Sequence, residues 1–163
     1  MLLELKKVFL NENESLNAEY EIDLSDLDFN GCLPFKTPVR VRADAVNRAG
    51  VVGLAVTAKF EYTAPCDRCG EETITEYVYS FNHTLVQSLE GENEGDYIET
   101  PDFTLDLDET VITDILLELP SKYLCSEECR GLCPKCGSNL NLVDCCCDLR
   151  ELDPRLEALR DLL

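Results

Sequence analysis

Hydrophobic and polar residues alternate along the first half of the chain. Residues 39–47 alternate, with valine or alanine at the odd positions up to 45 and charged residues at the even positions up to 44. The same period of two continues through residues 52–62 and 77–81. A period of two is typical of β-strands with one buried face. Residues 47–50 separate the first two runs and include asparagine and glycine, which predicts a turn and therefore an antiparallel hairpin.

Two helices are predicted in the second half. The first begins at Asp106, which can cap free backbone amides, with Glu109 three residues later as the partner in a capping box, and it ends at Pro120. The second begins at Asp153 and Pro154, a cap followed by proline in the first turn. Each helix has an apolar face that we interpret as a core contact. These faces are Val111, Ile112, Ile115, Leu116 and Leu119 in the first helix, and Leu156, Leu159, Leu162 and Leu163 in the second.

The pattern predicts an α+β fold that is mainly an antiparallel β-sheet or a partly open barrel. A helix follows an acidic loop, and a Cys-rich, zinc-ribbon-like segment and a short C-terminal helix complete the chain. We expect residues 1–120 to form a β-rich body with one helix, and residues 121–163 to pack on it as part of one folding unit. Residues 3–9 and 16–22 are weaker strand candidates, and residues 103–105 form a short extended piece. A chain of 163 residues is long enough to bury a core.

The net charge of −19 at pH 7 changes which partners are plausible. Residues 86–118 contain eleven acidic residues and no Lys or Arg, and we interpret this run as a solvated, partly flexible loop, centred on residues 91–95. Cationic side chains supply most nucleic-acid affinity, so bare RNA is repelled by most of this surface. RNA contact must come from a local patch or through a basic protein partner. The first residues lack the long apolar stretch of a signal peptide, and we expect a cytoplasmic protein that does not enter the membrane.

Eight of the ten cysteines fall into four closely spaced pairs. Thiolate sulfur is a soft ligand, and a close pair can hold one face of a tetrahedral metal ion from a single turn. Disulfides or buried free thiols are the alternative, but the spacing and a reducing compartment favour zinc. The pairs are Cys66 with Cys69, Cys125 with Cys129, Cys133 with Cys136, and Cys145 with Cys147.

The pairs can be grouped into sites in more than one way. The last two pairs would surround one zinc ion as in a zinc ribbon, and four protein ligands leave no open position for water, which indicates a structural metal. The first two pairs would form a second site, so we expect one or two structural zinc ions. Alternatively, Cys125 or Cys129 joins the ribbon, or Cys146 replaces a neighbour.

Other candidate chemistry is sparse. Cys32 stands alone and is predicted to be a small buried residue, and His83 is predicted to be structural because no partner lies at ligand spacing.

The alternative function is a thiol redox sensor or oxidoreductase using the Cys66-x-x-Cys69 pair, although neighbouring acidic residues oppose a lowered thiol pKa. A nuclease or RNA-modifying enzyme is rejected, because the chain has one histidine and no glycine-rich phosphate loop. Five residues near the cysteines are either ordinary surface or RNA contacts: Arg68, Lys122, Tyr123, Arg130 and Lys135.

Several of these motifs occur together in a known family. The stretch 124–141, which reads LCSEECRGLCPKCGSNLN, is followed by Cys145-x-Cys147 and by the ending DPRLEAL at residues 153–159, and Cys66-Asp-Arg-Cys69 lies upstream. In order and spacing these motifs resemble the YceD-like family of large ribosomal RNA subunit accumulation proteins. The resemblance spans the chain from the first cysteine pair to the C-terminus.

The resemblance implies a bacterial or plastid protein that is needed for normal levels of large-subunit (23S) ribosomal RNA. The family establishes no catalytic residue to carry over to this chain. Our leading hypothesis is a zinc-stabilised, non-catalytic factor in assembly of the large ribosomal subunit. The expected partner is the precursor of the large subunit, contacted through a basic ribosomal protein, the ribosomal RNA or both, with no small-molecule substrate. Some family members keep only part of the cysteine set, which implies that the zinc site of the second half serves local stability and not the activity that the family shares.

Overall fold

The structure, a computed structural model, describes residues 1–88 and 97–147. The chain divides into two compact units. The first unit comprises residues 1–64 and 74–121, and the second comprises residues 65–73 together with those from 122 onward. The prediction that residues 1–120 and 121–163 form one folding unit stays a prediction. The predicted loop at 91–95 and the predicted C-terminal helix lie outside the described residues.

The first unit contains nearly all of the regular structure among the described residues. A five-stranded sheet has the order β2-β3-β4-β5-β6, and a separate two-stranded sheet joins β1 to β7. The β2/β3 and β3/β4 pairs are antiparallel, whereas β5 and β6 are parallel. The elements are β1 (Leu2–Glu4), α1 (Lys6–Leu10), β2 (Ser15–Ile22), β3 (Val39–Arg48), β4 (Val51–Pro65), β5 (Glu72–Val86), β6 (Tyr97–Glu99), a 3-10 turn (Pro101–Phe103), β7 (Thr104–Asp106) and α2 (Leu107–Glu118).

The predicted α+β class is confirmed, and within the described residues the sheet is open and not closed into a barrel. The alternation predicted for the central hairpin is confirmed as well. Valine and alanine side chains of β3 and the matching positions of β4 are buried, and they form the core of the first unit. The β3–β4 turn places Ala49 and Gly50 at φ values of 52° and 84°. Positive φ at both central residues is the two-residue turn that matches the twist of a hairpin.

The strand predicted over residues 3–9 is wrong, because only its first part is a strand. Leu2–Glu4 pairs with β7, and the chain then turns into α1. Leu5 and Val8, which are fully buried, are three residues apart. That spacing places two side chains on one face of a helix, whereas in a strand they would point to opposite faces.

Helix α2 begins where the sequence predicts. The Asp106 side chain accepts hydrogen bonds from the amides of Asp108 (3.1 Å) and Glu109 (3.5 Å). Val111 and Ile115 are buried on the predicted apolar face. From residue 97 onward the acidic run includes β6, β7 and α2 and is not a loop. The predicted extended piece at residues 103–105 overlaps β7, and the predicted helix is α2, whereas β6 was not predicted.

Two residues that stand alone in the sequence have defined positions. The prediction that Cys32 is buried is wrong: it is exposed, in a tight turn closed by backbone hydrogen bonds with Phe29. His83 Nε2 lies 2.7 Å from Asp114 Oδ2, so the histidine joins β5 to α2.

Asn47 is a buried polar residue of the first unit, and its side-chain amide nitrogen donates to the Val8 carbonyl at 2.8 Å. No helix in the described ranges has the length and apolar character needed to cross a membrane.

Candidate metal centres

The structure brings the four cysteine pairs together in two groups. The first group joins the Cys66/Cys69 pair to the Cys125/Cys129 pair, and the second joins the remaining two pairs. Within each group all four sulfur atoms lie within 4.8 Å of one another. All ten cysteines are free thiols, and Cys146 belongs to neither group. The second group is therefore the four-cysteine set expected for the zinc ribbon, and neither Cys125 nor Cys129 joins it.

The distances between sulfur atoms distinguish metal ligands from disulfides. Cys66 Sγ and Cys129 Sγ are 3.8 Å apart, and Cys69 Sγ and Cys125 Sγ are 3.6 Å apart. A disulfide would require about 2.05 Å. Zinc–sulfur bonds of about 2.3 Å in a tetrahedron place neighbouring sulfurs about 3.8 Å apart. The first group therefore has the dimensions of a four-thiolate metal site.

The two Cys-x-x-Cys-Gly turns have the same backbone structure. In the first, the Gly70 amide donates to the Cys66 carbonyl at 2.8 Å, and in the second Gly137 donates to Cys133 at 2.8 Å. The amide of each leading cysteine donates to the carbonyl of the residue after the glycine, at 2.8 and 2.9 Å. Both glycines have positive φ, 74° and 72°, which side chains disfavour. The repeated sequence thus builds two turns with the same backbone hydrogen bonds, each carrying a pair of cysteines.

Backbone amides and neighbouring sulfurs shift the pKa values of these thiols in both directions. The backbone of Cys125 lowers the pKa of Cys66 to about 6, with support from the amides after Cys66. The Ser138 hydroxyl and amide lower the pKa of Cys136 to about 6. The sulfur of Cys129 raises the pKa of Cys125 to about 12, because the two thiols cannot easily ionise together.

The same balance holds in both groups: two thiols have lowered pKa values and two have raised ones. Four thiols this close cannot all ionise together, so some of them keep their protons. A divalent cation at the centre would remove the repulsion between thiolates and displace those protons. The electrostatics of each group therefore favour a cation.

The two residues inside the first turn position the other pair of the first group. Arg68 Nη1 donates to the carbonyls of Glu127 (3.1 Å) and Cys129 (2.8 Å). Asp67 Oδ2 accepts from the Tyr123 amide at 2.7 Å, and the Asp67 amide donates back to the Tyr123 carbonyl at 2.8 Å. These contacts hold residues 123–129 against the turn, which brings the sulfurs of the two pairs together.

These contacts also bear on the five residues considered for RNA contact. Arg68 is engaged by two backbone carbonyls, and Arg130 Nη1 pairs with Asp144 Oδ1 at 2.9 Å. Tyr123 is half-buried, whereas Lys122 and Lys135 are exposed. The role of Arg68 in the structure is to hold the cysteine pair, and RNA contact by the set stays a prediction.

The geometry weighs against a redox role for the Cys66-x-x-Cys69 pair. The lowered pKa of Cys66 favours a thiolate, but Cys66 is 2 % exposed and Cys69 is 6 % exposed. A reactive thiol needs access for its substrate. A buried thiolate surrounded by three further sulfurs is better suited to hold a metal ion.

Sequence reasoning missed two asparagines of this unit. Asn139 and Asn141 lie between the two pairs of the second group, and both side chains reach the first group or the segment beside it. The only sequence signal is an Asn-x-Asn motif within a cysteine-rich loop, which is equally common in ordinary turns.

The chain is thus an α+β protein that carries two closed groups of four cysteines. Residues 54–163 match the family model described as large ribosomal RNA subunit accumulation protein YceD. The chain belongs to this family. No solved structure matches it.

Curated relatives come from bacteria and plants. An uncharacterized protein of Bacillus subtilis, YlbN, is 28 % identical over 158 residues, which cover 92 % of this chain and 89 % of the relative. The large ribosomal RNA subunit accumulation protein YCED homolog 1, chloroplastic, of Arabidopsis thaliana is 28 % identical over 152 residues, covering 74 % of this chain and 47 % of the relative. The maize protein of the same name is 24 % identical over 151 residues, covering 74 % and 51 %. The chain spans about half the length of these two plant relatives.

Proposed function

We propose that this protein is a non-catalytic factor that supports assembly of the large ribosomal subunit and accumulation of its 23S RNA, with two structural zinc ions. Membership of the family supports the ribosomal role. The observation that carries the non-catalytic role is the pairing of eight thiols into two closed groups of four. Four protein ligands leave no coordination position for a substrate or an activated water.

Zinc suits these groups because it prefers four thiolates in a tetrahedron. The ions would be held by Cys66, Cys69, Cys125 and Cys129 in one site and by Cys133, Cys136, Cys145 and Cys147 in the other. Bound zinc would supply a cross-link and no reaction chemistry. Such a cross-link suits the second unit, because within its described residues the buried cluster consists of three cysteines with Leu124 packed against them.

Charge supports the choice of partner. The net charge of −19 complements basic ribosomal proteins, and attraction over a distance speeds the encounter of opposite charges. Acidic side chains such as Glu99, Asp106, Glu109 and Glu118 are exposed on the first unit. The second unit carries the exposed Lys122 and Lys135, which are the candidates for local RNA contact. We propose the cytoplasm as the location in bacteria, while the plant relatives are named chloroplastic.

Depletion in a bacterium that encodes the protein tests this function. We expect a lower ratio of large-subunit to small-subunit ribosomal RNA, with precursor particles accumulating in sucrose gradients. Wild-type protein should restore the ratio, and so should Cys32→Ser, which removes an exposed thiol outside both groups. The double variant Cys66→Ser/Cys69→Ser should restore it poorly. Normal subunit profiles after complete depletion would contradict the proposed function.

A further inference from the structure

The Asn141 side chain links the two cysteine groups. It belongs to the loop between Cys136 and Cys145, both members of the second group, yet its Nδ2 donates to Cys129 Sγ of the first group at 3.2 Å. Its Oδ1 accepts from the Arg130 amide, next to Cys129, at 2.7 Å. One side chain of the second loop therefore contacts both a sulfur of the first group and the backbone beside it.

Asn139 holds Asn141 in this position. Asn139 Oδ1 accepts from the Asn141 amide (3.0 Å) and from Asn141 Nδ2 (2.9 Å). Asn139 Nδ2 donates to Glu71 Oε1 at 3.2 Å, at the end of the first Cys-x-x-Cys-Gly turn. The donor that faces Cys129 is thus oriented by a second asparagine of the same loop.

Backbone contacts place this loop against the first group as well. The Leu140 amide of the loop donates to the Gly131 carbonyl at 2.9 Å, and the amide of Leu132, which precedes the second group's Cys133, donates to the Arg68 carbonyl at 3.1 Å. The loop begins at Cys136 and ends at Cys145, and both cysteines belong to the second group. An ion bound by the second group would therefore hold together both ends of the loop that carries Asn141.

We propose that Asn141 couples the two metal sites: an ion in the second group holds the loop so that Asn141 donates to Cys129 and retains the ion of the first group. This inference rests on the proposed zinc sites. An N–H donor reduces the negative charge on a ligating thiolate, and loss of such an outer partner typically costs about 10–100-fold in metal affinity. Coupling of binding free energies is reciprocal, so each ion stabilises the other by the same factor.

Zinc release to a competing chelator tests the coupling, with the full chain in reducing buffer. Wild type should bind two zinc ions, and Asn141→Ala should release one of them about 10-fold faster. Leu142→Ala is the matched control, because Leu142 is 75 % exposed in the same loop, and it should behave as wild type. Asn141→Asp keeps the acceptor for the Arg130 amide but removes the donor, so it should release zinc at least as fast as Asn141→Ala.

A double-mutant comparison separates coupling from simple support of the first group. Cys133→Ser/Cys136→Ser removes the second site and should weaken the remaining zinc by about the same factor as Asn141→Ala, and adding Asn141→Ala should then change it less than about 2-fold. An undiminished effect of Asn141→Ala in that background would overturn the coupling. The coupling would also be overturned if the protein binds two zinc ions but Asn141→Ala and Asn141→Asp release zinc no faster than Leu142→Ala. Fewer than two ions in wild type would instead overturn the metal sites of the proposed function.

Discussion

Removing the metal should unfold the second unit while the first unit stays folded. A strong chelator under reducing conditions is the perturbation, and hydrogen exchange of the backbone amides is the assay. We expect amides of the two Cys-x-x-Cys-Gly turns, such as those of Gly70 and Gly137, to lose protection. Amides of β3 and β4 in the first unit should keep theirs, because that hairpin buries its own aliphatic core.

The magnitude follows from what each unit buries. Among the described residues, the buried hydrophobic residues of the second unit are four cysteines, whereas the first unit buries leucine, isoleucine, valine and phenylalanine. A structural zinc ion contributes about 10–16 kcal/mol of apparent binding free energy. This is comparable with the net stability of a whole domain, which is about 5–15 kcal/mol. A loss of even about 5 kcal/mol raises exchange rates more than about 1,000-fold, at about 1.4 kcal/mol per factor of ten.

Peptides covering residues 65–73 and 122–147 report on the second unit in mass spectrometry. Their exchange should rise after chelation and return to the starting value when zinc is added back. The result that would refute this reasoning is retained protection in both peptides after the zinc content has fallen to near zero. In that case hydrogen bonds and apolar contacts alone would hold the unit.

Two substitutions test single contacts. Gly131→Ala places a Cβ 3.0 Å from a backbone oxygen at a φ of +72°, and it should destabilise the second unit by about 2 kcal/mol, seen as faster zinc release. Gly53→Ala is its control, since Gly53 has open space and no positive φ; equal behaviour of the two variants would count against the close contact. Asn47→Ala removes three hydrogen bonds from a side chain that is 2 % exposed, and urea unfolding of the first unit should show a loss of about 2–3 kcal/mol. The exposed Asn17→Ala should cost well under half as much, and similar losses would contradict the role given to burial.

Periodicity in the sequence predicts much of the first unit, because a strand or helix with one buried face needs apolar residues at regular intervals. The alternation from Val39 to Tyr62 identifies the central hairpin, and Asp106 identifies the start of α2. The strand predicted over residues 3–9 overlooks the spacing of Leu5 and Val8. Two buried residues three positions apart within a short apolar run indicate a helical turn. Cys32 shows a second limit: composition favours burial of a lone cysteine, but the tight turn with Phe29 leaves its side chain exposed.

Contacts between residues distant in the sequence have no such signature. The pairing of the eight cysteines follows from spacing only in part, and the structure is needed to separate Cys125 and Cys129 from the ribbon pairs. Arg68 appears as a surface cation in the sequence, whereas its guanidinium is held by two carbonyls. Asn141 could not be identified, because a hydrogen bond to one sulfur leaves no periodic or compositional trace.

Native mass spectrometry tests most directly whether the eight thiols hold two structural metal ions, as we propose. With zinc in slight excess, wild type and Cys32→Ser should each carry two zinc ions, one for each group. Cys66→Ser/Cys69→Ser and Cys133→Ser/Cys136→Ser should each carry one. A single zinc ion in wild type, or loss of the same ion from both double variants, would contradict the account.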